Sequence, residues 1–242
     1  MKIHLIIQSR MSSTRLPKKI LKSIEGKTVL QHVIDRCSKS KYINKIIVAT
    51  TTNPADDILE NYCIGENINY FRGNENNVLE RFYKLALSDK CDIIVRVTSD
   101  CPLIDVNIVD DMIEYFNKKD LPFLQPQYSN RGEHGHSGGF PDGTNPQIFT
   151  FEALENTYKN AYTTFDCEHV CPYMIRNLSS EEFKIPHIEH YKNINFPSLH
   201  LSLDTQQDYE FIRKIFELLY NDNPNFTIYD VLAAINDNKI TN

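Results

Sequence analysis

The stretch that decides the fold is IHLIIQSRMSSTRLPKK, residues 3 to 19. Its first part, Ile3–Ile7, is a continuous apolar run with the length of a buried strand. A polar turn with four cations follows, although the whole chain has a formal net charge of −6. Loops at the carboxyl ends of parallel strands can bring backbone amides and cations together around anions. The turn therefore predicts a phosphate site, and a solvated basic loop is the alternative. Its cations are Arg10, Arg15, Lys18 and Lys19.

Two common phosphate-binding patterns are absent from this turn. The sequence has no G-x-x-x-x-G-K-[ST], which marks a P-loop, and no G-x-G-x-x-G, which marks a dinucleotide site. The turn is therefore not a P-loop, and it lacks the dinucleotide fingerprint.

Composition limits the classes of function. At 242 residues the chain can bury a full core, and a net charge of −6 argues against a nucleic-acid-binding protein. No run approaches the roughly 20 apolar residues of a membrane span, and no signal-peptide pattern is present, so we expect a cytoplasmic protein without a membrane partner. The six cysteines are expected to be reduced. Cys167-x-His169-x-Cys171 lacks a second ligand pair, which favours packed thiols over zinc.

The first half of the chain alternates strand and helix patterns. This alternation predicts parallel βαβ units with helices on both faces of one sheet. The helix that starts at Asn53-Pro54 has a capping residue followed by proline in its first turn. Strand patterns lie at Ile3–Ile7, Lys45–Thr50, Asn69–Phe71 and Asp92–Thr98, and helix patterns at Thr28–Arg36, Val78–Leu87 and Val106–Phe116.

The second half is less regular. Prolines and glycines predict loops from Leu121 to Gly143, with His134 and His136 as surface side chains. Helices are predicted at Phe151–Tyr162, Glu168–Arg176, Gln207–Leu219 and Ile228–Asn236, and a last strand at Leu199–Leu203. We predict a single domain over residues 1–242, in which 1–120 form the nucleotide-binding core, 121–200 an acceptor or oligomerisation subregion, and 201–242 the closing strand and helices.

Two aspartates follow predicted strands. Asp100 comes after the strand Asp92–Thr98, and Asp204 comes after Leu199–Leu203. Mg²⁺ prefers one or two carboxylates together with phosphate oxygens and water. The pair therefore predicts a magnesium site opposite the cationic turn, although an aspartate at either position alone is equally typical of a turn or a helix cap.

With these features in view, the run Arg10–Lys19 resembles the signature of the spore-coat-polysaccharide-type cytidylyltransferases, relatives of the acylneuraminate and 3-deoxy-manno-octulosonate cytidylyltransferases. Each matching piece is weak alone, but together they occur in the order of the family and span roughly residues 3 to 215. The further pieces are Ile47–Thr51, Phe71–Glu75, Val78–Arg81, Ser99–Asp105, Pro141–Gly143, Glu168–Tyr173 and Leu203–Asp208.

The resemblance implies a Rossmann-like α/β nucleotidyltransferase sandwich, with a mostly parallel central sheet and a small acceptor arm. It implies an enzyme that couples CMP from CTP to a sugar acid, sugar phosphate or polyol phosphate, releases pyrophosphate and serves surface polysaccharide, capsule or glycan synthesis. The implied partners are CTP and a small anionic or sugar acceptor, and a homodimer is implied through residues 140–200. Nucleic acid is not an expected partner.

The resemblance also implies roles for individual residues. Arg15, Lys19 and Asp100 would be catalytic, and Asp100 and Asp204 would bind Mg²⁺. Arg72 would lie near the cytosine and ribose. The nucleotide-binding set is Gln8, Arg10, Ser12, Ser13, Arg15, Lys19, Thr50, Arg72 and Thr98, and the acceptor-binding set is Asp142, Asn145, Glu168, His169 and His200.

The chain departs from the family pattern mainly on the acceptor side. Thr144–Gln147 replaces an acidic run, and Cys167 and His200 each stand where arginine is usual. On the nucleotide side, Lys18 and Ser99 stand where glycine is usual. These changes predict an unusual acceptor. Two alternatives stay open: a GT-A-type glycosyltransferase that uses a nucleotide sugar, and a non-catalytic nucleotide-binding relative.

Overall fold

The computed structural model describes most of the chain. The described residues are 1–126, 140–178, 181–183, 194, 196, 198–237 and 239–240, with backbone only for 126 and 181–183. His134 and His136 lie outside them. Within the described segments, no helix has both the length and the apolar character needed to cross a membrane.

A seven-stranded sheet forms the centre of the molecule. Its strands are β1 (Ile3–Gln8), β4 (Lys45–Thr51), β5 (Tyr70–Gly73), β6 (Ile93–Thr98), β7 (Phe123–Pro126), β8 (Gln147–Thr150) and β9 (Glu181–Phe183); β2 (Ser23–Ile24) and β3 (Lys27–Thr28) form a separate hairpin. The order across the sheet is β5-β4-β1-β6-β8-β7-β9. Six strands run in one direction, and β8 is antiparallel to both of its neighbours. A mostly parallel sheet is thus confirmed.

Helices cover both faces of this sheet, and an apolar cluster is buried on each face. The side chains of β1 alternate between the two clusters: Leu5 and Ile7 belong to one and Ile6 to the other, as expected for a strand that is buried on both sides. The helices are α1 (Val29–Cys37), α2 (Asp57–Gly65), α3 (Val78–Ser88), α4 (Val106–Lys119), α5 (Phe151–Asn160), α6 (Thr164–His169), α7 (Pro172–Asn177), α8 (Gln206–Leu219) and α9 (Ile228–Asn236).

Local sequence signals explain most helix starts. The Thr28 hydroxyl caps α1 by accepting from the Gln31 amide, and the Asn53 side chain accepts from the Ala55 amide. Asn53-Pro54 begins a short 3-10 turn, Pro54–Asp56, that leads into α2. α8 starts with a complete capping box between Thr205 and Asp208.

Two strands of the second half have no clear sequence signal. The pattern of Leu121–Gly143 predicts loop, yet β7 lies inside this region with Phe123 and Leu124 buried. β8 pairs antiparallel with β6 and β7. Both strands have only four residues, so neither gives a strong local period, and their pairing across the sheet determines them.

The helix predicted over Glu168–Arg176 is instead divided between α6 and α7. Val170 ends α6 with a positive φ of 67°. Pro172 then starts α7 at a position where its missing amide hydrogen costs nothing. The apolar period continues through this break, which is why the sequence pattern alone indicates one helix.

The prediction of a strand at Leu199–Leu203 is also wrong. The alternation arises because Leu201 and Leu203 are buried, but the segment does not join the sheet. It forms a single bridge in which the Asp142 amide donates to the Leu199 carbonyl and the Leu201 amide donates to the Asp142 carbonyl. The apolar alternation therefore arises from the burial of alternate side chains here and does not indicate a β-ladder.

Candidate active site

The cationic loop after β1 is held in place by a buried carboxylate. Asp56 is 2% exposed, and its Oδ1 accepts a 2.7 Å hydrogen bond from the amide of Met11. Its Oδ2 accepts from the Thr51 amide at the end of β4, over 3.3 Å. Asp56 thus ties the loop to the neighbouring strand. No sequence pattern singled out Asp56 for this role, so its positioning of the loop is a finding of the structure.

Lys18 turns the loop toward the sheet. It adopts left-handed backbone angles, with φ 58° and ψ 23°, and precedes the 3-10 turn Lys19–Leu21. A glycine adopts this conformation without strain, whereas a side chain disfavours it. Ser99, the other position where the family pattern has glycine, has no positive φ. Only the replacement at Lys18 therefore has a conformational cost.

The ammonium of Lys19 lies between the two aspartates predicted to bind metal. Lys19 Nζ is 2.6 Å from Asp100 Oδ2 and 2.9 Å from Asp204 Oδ1. Burial lowers the pKa of Lys19, but the Asp100 and Asp204 carboxylates outweigh burial and raise that pKa above its usual value. Lys19 is therefore a cation at neutral pH, and its ammonium forms an ion pair with each of the two carboxylates.

Asp204 is surrounded by cations. Arg15 Nη2 is 2.9 Å from Asp204 Oδ1, and His200 Nε2 is 3.7 Å from Asp204 Oδ2. The His200 ring and then the Lys19 ammonium lower the pKa of Asp204, against the effect of burial. The backbone supports this approach, because the Leu203 amide donates to the Asp100 carbonyl over 2.8 Å. That bond brings the chain before Asp204 to the carboxyl end of β6.

A cavity of about 610 Å³ opens at this edge of the sheet. It is the size of a small-molecule site. The structure brings most of the predicted nucleotide and metal residues to its wall, together with several residues that were not predicted as site residues. The predicted ones are Gln8, Arg10, Ser12, Ser13, Arg15, Lys19, Thr98, Asp100 and Asp204, and Glu168 joins them from α6; unpredicted ones include Glu75, Asn76, Arg81 and Thr164.

Gln8 is oriented by a neighbour that the sequence did not single out. Arg96, on the adjacent strand β6, donates to Gln8 Oε1 from Nη2 over 2.7 Å and from Nε over 3.1 Å. Because this oxygen already accepts two hydrogen bonds from Arg96, the side-chain amide of Gln8 presents its N–H₂ group as a donor at the cavity wall.

Two residues that were predicted to bind the nucleotide, Thr50 and Arg72, do not line the cavity. Thr50 is fully buried in β4. The guanidinium of Arg72 donates to the Thr51 and Asn53 carbonyls over 2.7 and 3.0 Å, and it pairs with Asp57 and Glu60. In this arrangement Arg72 ties β5 to α2 and does not reach the cavity wall, because its donors are used within the fold.

The predicted acceptor residues do not form one cluster. His200 Nδ1 is 2.8 Å from Asp142 Oδ2, which also accepts from the Ser202 hydroxyl over 2.9 Å. The Asp142 and Asp204 carboxylates raise the pKa of His200 to about 10, so His200 is a cation at neutral pH. Of the others, Glu168 lines the cavity, the His169 ring packs on Phe165 at 4.5 Å, and Asn145 donates to the Thr144 hydroxyl.

Gly143 allows the segment around Asp142 to approach residues 201–202. Its φ is +84°, and a Cβ at this position would lie 2.9 Å from the Ser202 amide nitrogen. A side chain is excluded both by the backbone angle and by this contact. Gly143 therefore fixes the distance between Asp142 and the His200–Asp204 segment.

Arg81 is the main site residue that sequence reasoning missed. It is 1% exposed and lines the cavity from α3. The sequence did contain a signal for this residue. Arg81 lies on the same helix face as Val78, Phe82 and Leu85, which are buried. An arginine on such a face is unusual enough to indicate a site.

The donor set of Asp100 and Asp204 suits a hard divalent cation. Both carboxylates already hold one positive charge, the Lys19 ammonium, between them. In the part of the chain that the structure describes, no group of three His, Cys, Asp or Glu side chains forms a fuller site. Mg²⁺ accepts such a partial set, because phosphate oxygens and water complete its shell.

Residues 4–229 match the family model described as Cytidylyltransferase. The chain belongs to the cytidylyltransferase family. It is therefore a nucleotidyltransferase, as the resemblance implied. The spore coat polysaccharide biosynthesis protein SpsF of Bacillus subtilis is 30% identical over 240 residues, which cover 96% of this chain and 93% of that protein.

Solved structures agree with this assignment. A cytidylyltransferase from Leptospira borgpetersenii serovar Hardjo-bovis superposes with a TM-score of 0.85 at 30% identity, covering 99% of this chain and 95% of that one. A CMP:2-keto-3-deoxy-manno-octonic acid synthetase, solved in complex with CTP, has a TM-score of 0.65 at 14% identity and covers 90% of this chain and 99% of that one. The second likeness shows a shared fold.

Proposed function

We propose that this enzyme transfers CMP from CTP to a sugar acid, a sugar phosphate or a polyol phosphate and releases pyrophosphate, in the synthesis of a surface polysaccharide. One observation carries the proposal. The Lys19 ammonium lies 2.6 and 2.9 Å from two carboxylates at the carboxyl edge of the sheet, beneath a loop of further cations. This combination suits a triphosphate better than the diphosphate of a nucleotide sugar, because it offers more positive charge than a diphosphate needs.

The reaction is an in-line displacement at the α-phosphorus. A hydroxyl or phosphate oxygen of the acceptor forms the new O–P bond, while the bond from the α-phosphorus to the bridging oxygen of the β-phosphate breaks. The electron pair of that bond leaves with pyrophosphate. Such a transfer requires mainly positioning of the reactants and stabilisation of developing charge.

The residues of the cationic loop supply both. Arg10 and Arg15 would hold phosphate oxygens, with arginine able to donate two parallel hydrogen bonds. Lys19 would act as a compact charge near the leaving pyrophosphate. The amide of Gln8 and the hydroxyls of Ser12, Ser13 and Thr98 would complete the hydrogen bonds to the nucleotide.

Asp100 and Asp204 would hold Mg²⁺, which would neutralise phosphate charge once CTP is bound. In the structure the Lys19 ammonium is shared by both carboxylates. The ammonium of Lys19 therefore lies beside the two carboxylates that would hold the metal, at the wall of the cavity, where it could also donate to a phosphate oxygen of the nucleotide.

The acceptor side carries positive charge as well. His200 is protonated at neutral pH and lies 3.7 Å from Asp204. An acceptor with a carboxylate or phosphate group complements this charge. The similarity to a spore coat polysaccharide biosynthesis protein supports a role in surface polysaccharide synthesis. Asp142, Asn145 and His169 would contribute through the segments that surround this side.

Pyrophosphate release tests the proposal. Purified enzyme with CTP and Mg²⁺ is supplied with acceptors from three classes: 2-keto sugar acids, sugar phosphates and polyol phosphates. We expect acceptor-dependent pyrophosphate release for one class, with a CMP or CDP conjugate detected by mass spectrometry. Hydrolysis of a nucleotide sugar instead would support a glycosyltransferase. CTP binding without turnover on any acceptor would support a non-catalytic relative.

A further inference from the structure

A second cavity, of about 210 Å³, lies apart from the candidate active site and shares no lining residue with it. The two cavities lie at opposite ends of α8. Asp204 comes before this helix, and Tyr220, which directly follows it, lines the second cavity. The 14 residues of α8 span about 21 Å. This hairpin pocket, so named because Lys27 of the β2–β3 hairpin forms part of its wall, is therefore a separate feature of the fold.

The hairpin pocket has an excess of positive charge. Its charged side chains are three cations and one carboxylate: Lys27, Arg36, Lys39 and Asp35. Lys27 Nζ is 2.5 Å from Asp35 Oδ2, so this carboxylate already has a cationic partner. Burial lowers the pKa of the His32 ring, which also lines the pocket and is therefore neutral at neutral pH. Two positive charges are left without a carboxylate, although the whole chain has a formal net charge of −6.

Arg36 carries one of these two charges and is buried. It is 7% exposed, and it forms no ion pair with a described carboxylate. Its Nε donates to the Ile104 carbonyl over 2.7 Å, and its Nη2 donates to the Phe226 carbonyl over 2.9 Å. Nη1 has no hydrogen-bond partner among the described residues. Buried charges in proteins are normally paired and hydrogen-bonded, so an arginine with an open donor in a cavity wall calls for an explanation.

Lys39 carries the other charge and lies just after the end of α1. Its ammonium contacts the side-chain oxygen of Asn225 and pairs with no described carboxylate. Burial lowers the pKa of Lys39, and the nearby Arg36 guanidinium lowers it further, so the two cations are close enough to repel each other. Cations at the end of a helix often donate to its last carbonyls. Among the described contacts, neither Arg36 nor Lys39 donates to a carbonyl of α1, so the helix end does not account for this pair.

The volume and charge of the pocket limit its ligand. Pockets for drug-sized molecules measure roughly 300–1,000 Å³, so a cavity of about 210 Å³ is too small for a whole nucleotide. It has room for a phosphate or a pyrophosphate ion. Phosphate oxygens accept charge-assisted hydrogen bonds from arginine and lysine together. A monocarboxylate would offset only one of the two positive charges, whereas a phosphate anion offsets both.

We propose that the hairpin pocket is a second anion site, separate from the candidate active site, which binds inorganic phosphate or pyrophosphate. Arg36 donates to the anion from Nη1, and Lys39 donates from its ammonium. Lys27 lies in the same wall and has its charge offset by Asp35. The bound anion supplies the negative charge that the described side chains around Arg36 and Lys39 lack. This site does not depend on the proposed function.

Nuclear magnetic resonance on isotope-labelled enzyme tests the site, because it reports binding at each residue. Inorganic phosphate is titrated at constant ionic strength, with chloride as the comparison anion. We expect the Arg36 Nε–H signal and the Lys39 amide signal to shift together and to saturate with one dissociation constant in phosphate but not in chloride. Saturating shifts that are confined to the cationic loop Arg10–Lys19 would overturn the proposal, because they place the anion in the candidate active site alone.

Substitutions of Lys39 test its contact with the anion. Lys39 is exposed, so its variants should fold. Lys39→Gln should weaken phosphate binding at the Arg36 signal about 10-fold, the scale of one hydrogen bond to a charged group, and Lys39→Glu should abolish the saturating shift. Lys41→Gln is the matched control, because Lys41 is exposed, lies two residues away and does not line the pocket. Equal phosphate affinities for Lys39→Glu and Lys41→Gln would overturn the proposal.

A titration with pyrophosphate identifies the source of the anion. Tighter binding of pyrophosphate than of phosphate at the Arg36 signal would support a site for the product of the proposed reaction, and tighter binding of phosphate would support a site for the free ion. If neither anion shifts this signal, the second site is overturned and the proposed function is unaffected. If the enzyme releases no pyrophosphate from CTP, the proposed function fails, while saturating phosphate binding at Arg36 would still support the site.

Discussion

The proposed phosphate side and the proposed acceptor side of this enzyme are built in different ways. The proposed phosphate side is one continuous loop between β1 and the turn Lys19–Leu21, and the buried carboxylate of Asp56 ties it to β4. The proposed acceptor side is assembled from separate segments: those of Asp142 and His200 meet through a β-bridge and an ion pair, and Glu168 lines the cavity from α6.

This difference affects how each side responds to change. The residues of the proposed phosphate side belong to one continuous loop. A substitution that moves this loop is therefore expected to alter all of its phosphate contacts together. Residues on the acceptor side sit on elements that are fixed independently, so one can change without moving the others. The departures from the family pattern follow this division, because most of them lie on the acceptor side.

Asp100→Asn should give the largest effect, because Asp100 belongs to the proposed reaction centre. We expect turnover at least about 100-fold lower, the usual scale for losing one preorganised electrostatic element. Steady-state pyrophosphate release measures this, with Asp222→Asn, an exposed aspartate, as control. An Asp100→Asn enzyme with near-normal turnover would remove Asp100 from the reaction centre.

Asp56→Asn tests whether the phosphate side moves as a unit. An asparagine places an N–H₂ group against the donors that Asp56 now accepts from, and leaves one of them unpaired. We expect a loss of about 1–3 kcal/mol in the free energy of unfolding, together with a raised KM for CTP. Urea denaturation measures the first and initial rates the second. Asp57→Asn is the matched control, since Asp57 is exposed and its ion pair with Arg72 is open to solvent on that side.

Glu168→Gln tests the independence of the acceptor side. Glu168 lines the cavity from α6 and is suited to accept hydrogen bonds from acceptor hydroxyls. We expect the KM for the acceptor to rise about 10-fold, the equivalent of one hydrogen bond to a charged group, while the dissociation constant for CTP changes less than about 2-fold. Glu152→Gln on α5 should change neither. Equal losses for both substrates would show that the two sides are coupled.

The fold of the first 120 residues could be predicted closely from the sequence. Its central strands are buried on both sides and side chains cap several of its helix starts, so local pattern and final structure agree, as at Thr28 and Asn53. Beyond residue 120 the strands are short and the decisive contacts are long-range. The pairing of β8 with β6 and the bridge from Asp142 to His200 leave no local period to find.

The candidate site follows the same rule. Charges that follow a strand in sequence, such as Lys19 and Asp100, could be predicted to meet at one sheet edge. Residues that act through buried contacts could not, because Asp56 looks like a helix-start aspartate and Arg96 like a strand residue. Arg81 could have been found from the apolar face that it interrupts.

The smallest expected effect concerns the two left-handed residues, one on each side of the site. Gly143 meets the steric demand of its turn, whereas Lys18 adopts φ 58° with a side chain in place. A non-glycine residue in this region costs roughly 1–2 kcal/mol, and glycine loses about 0.5–1 kcal/mol of that gain through the greater entropy of its unfolded chain. Lys18→Gly should therefore raise the free energy of unfolding by at most about 1.5 kcal/mol, which corresponds to a melting-temperature increase of at most about 6 °C. Lys18→Ala keeps the strain and removes the charge, so it should not raise the melting temperature. If both variants melt at the same temperature, the effect at this position is one of charge, and the turn tolerates lysine without strain.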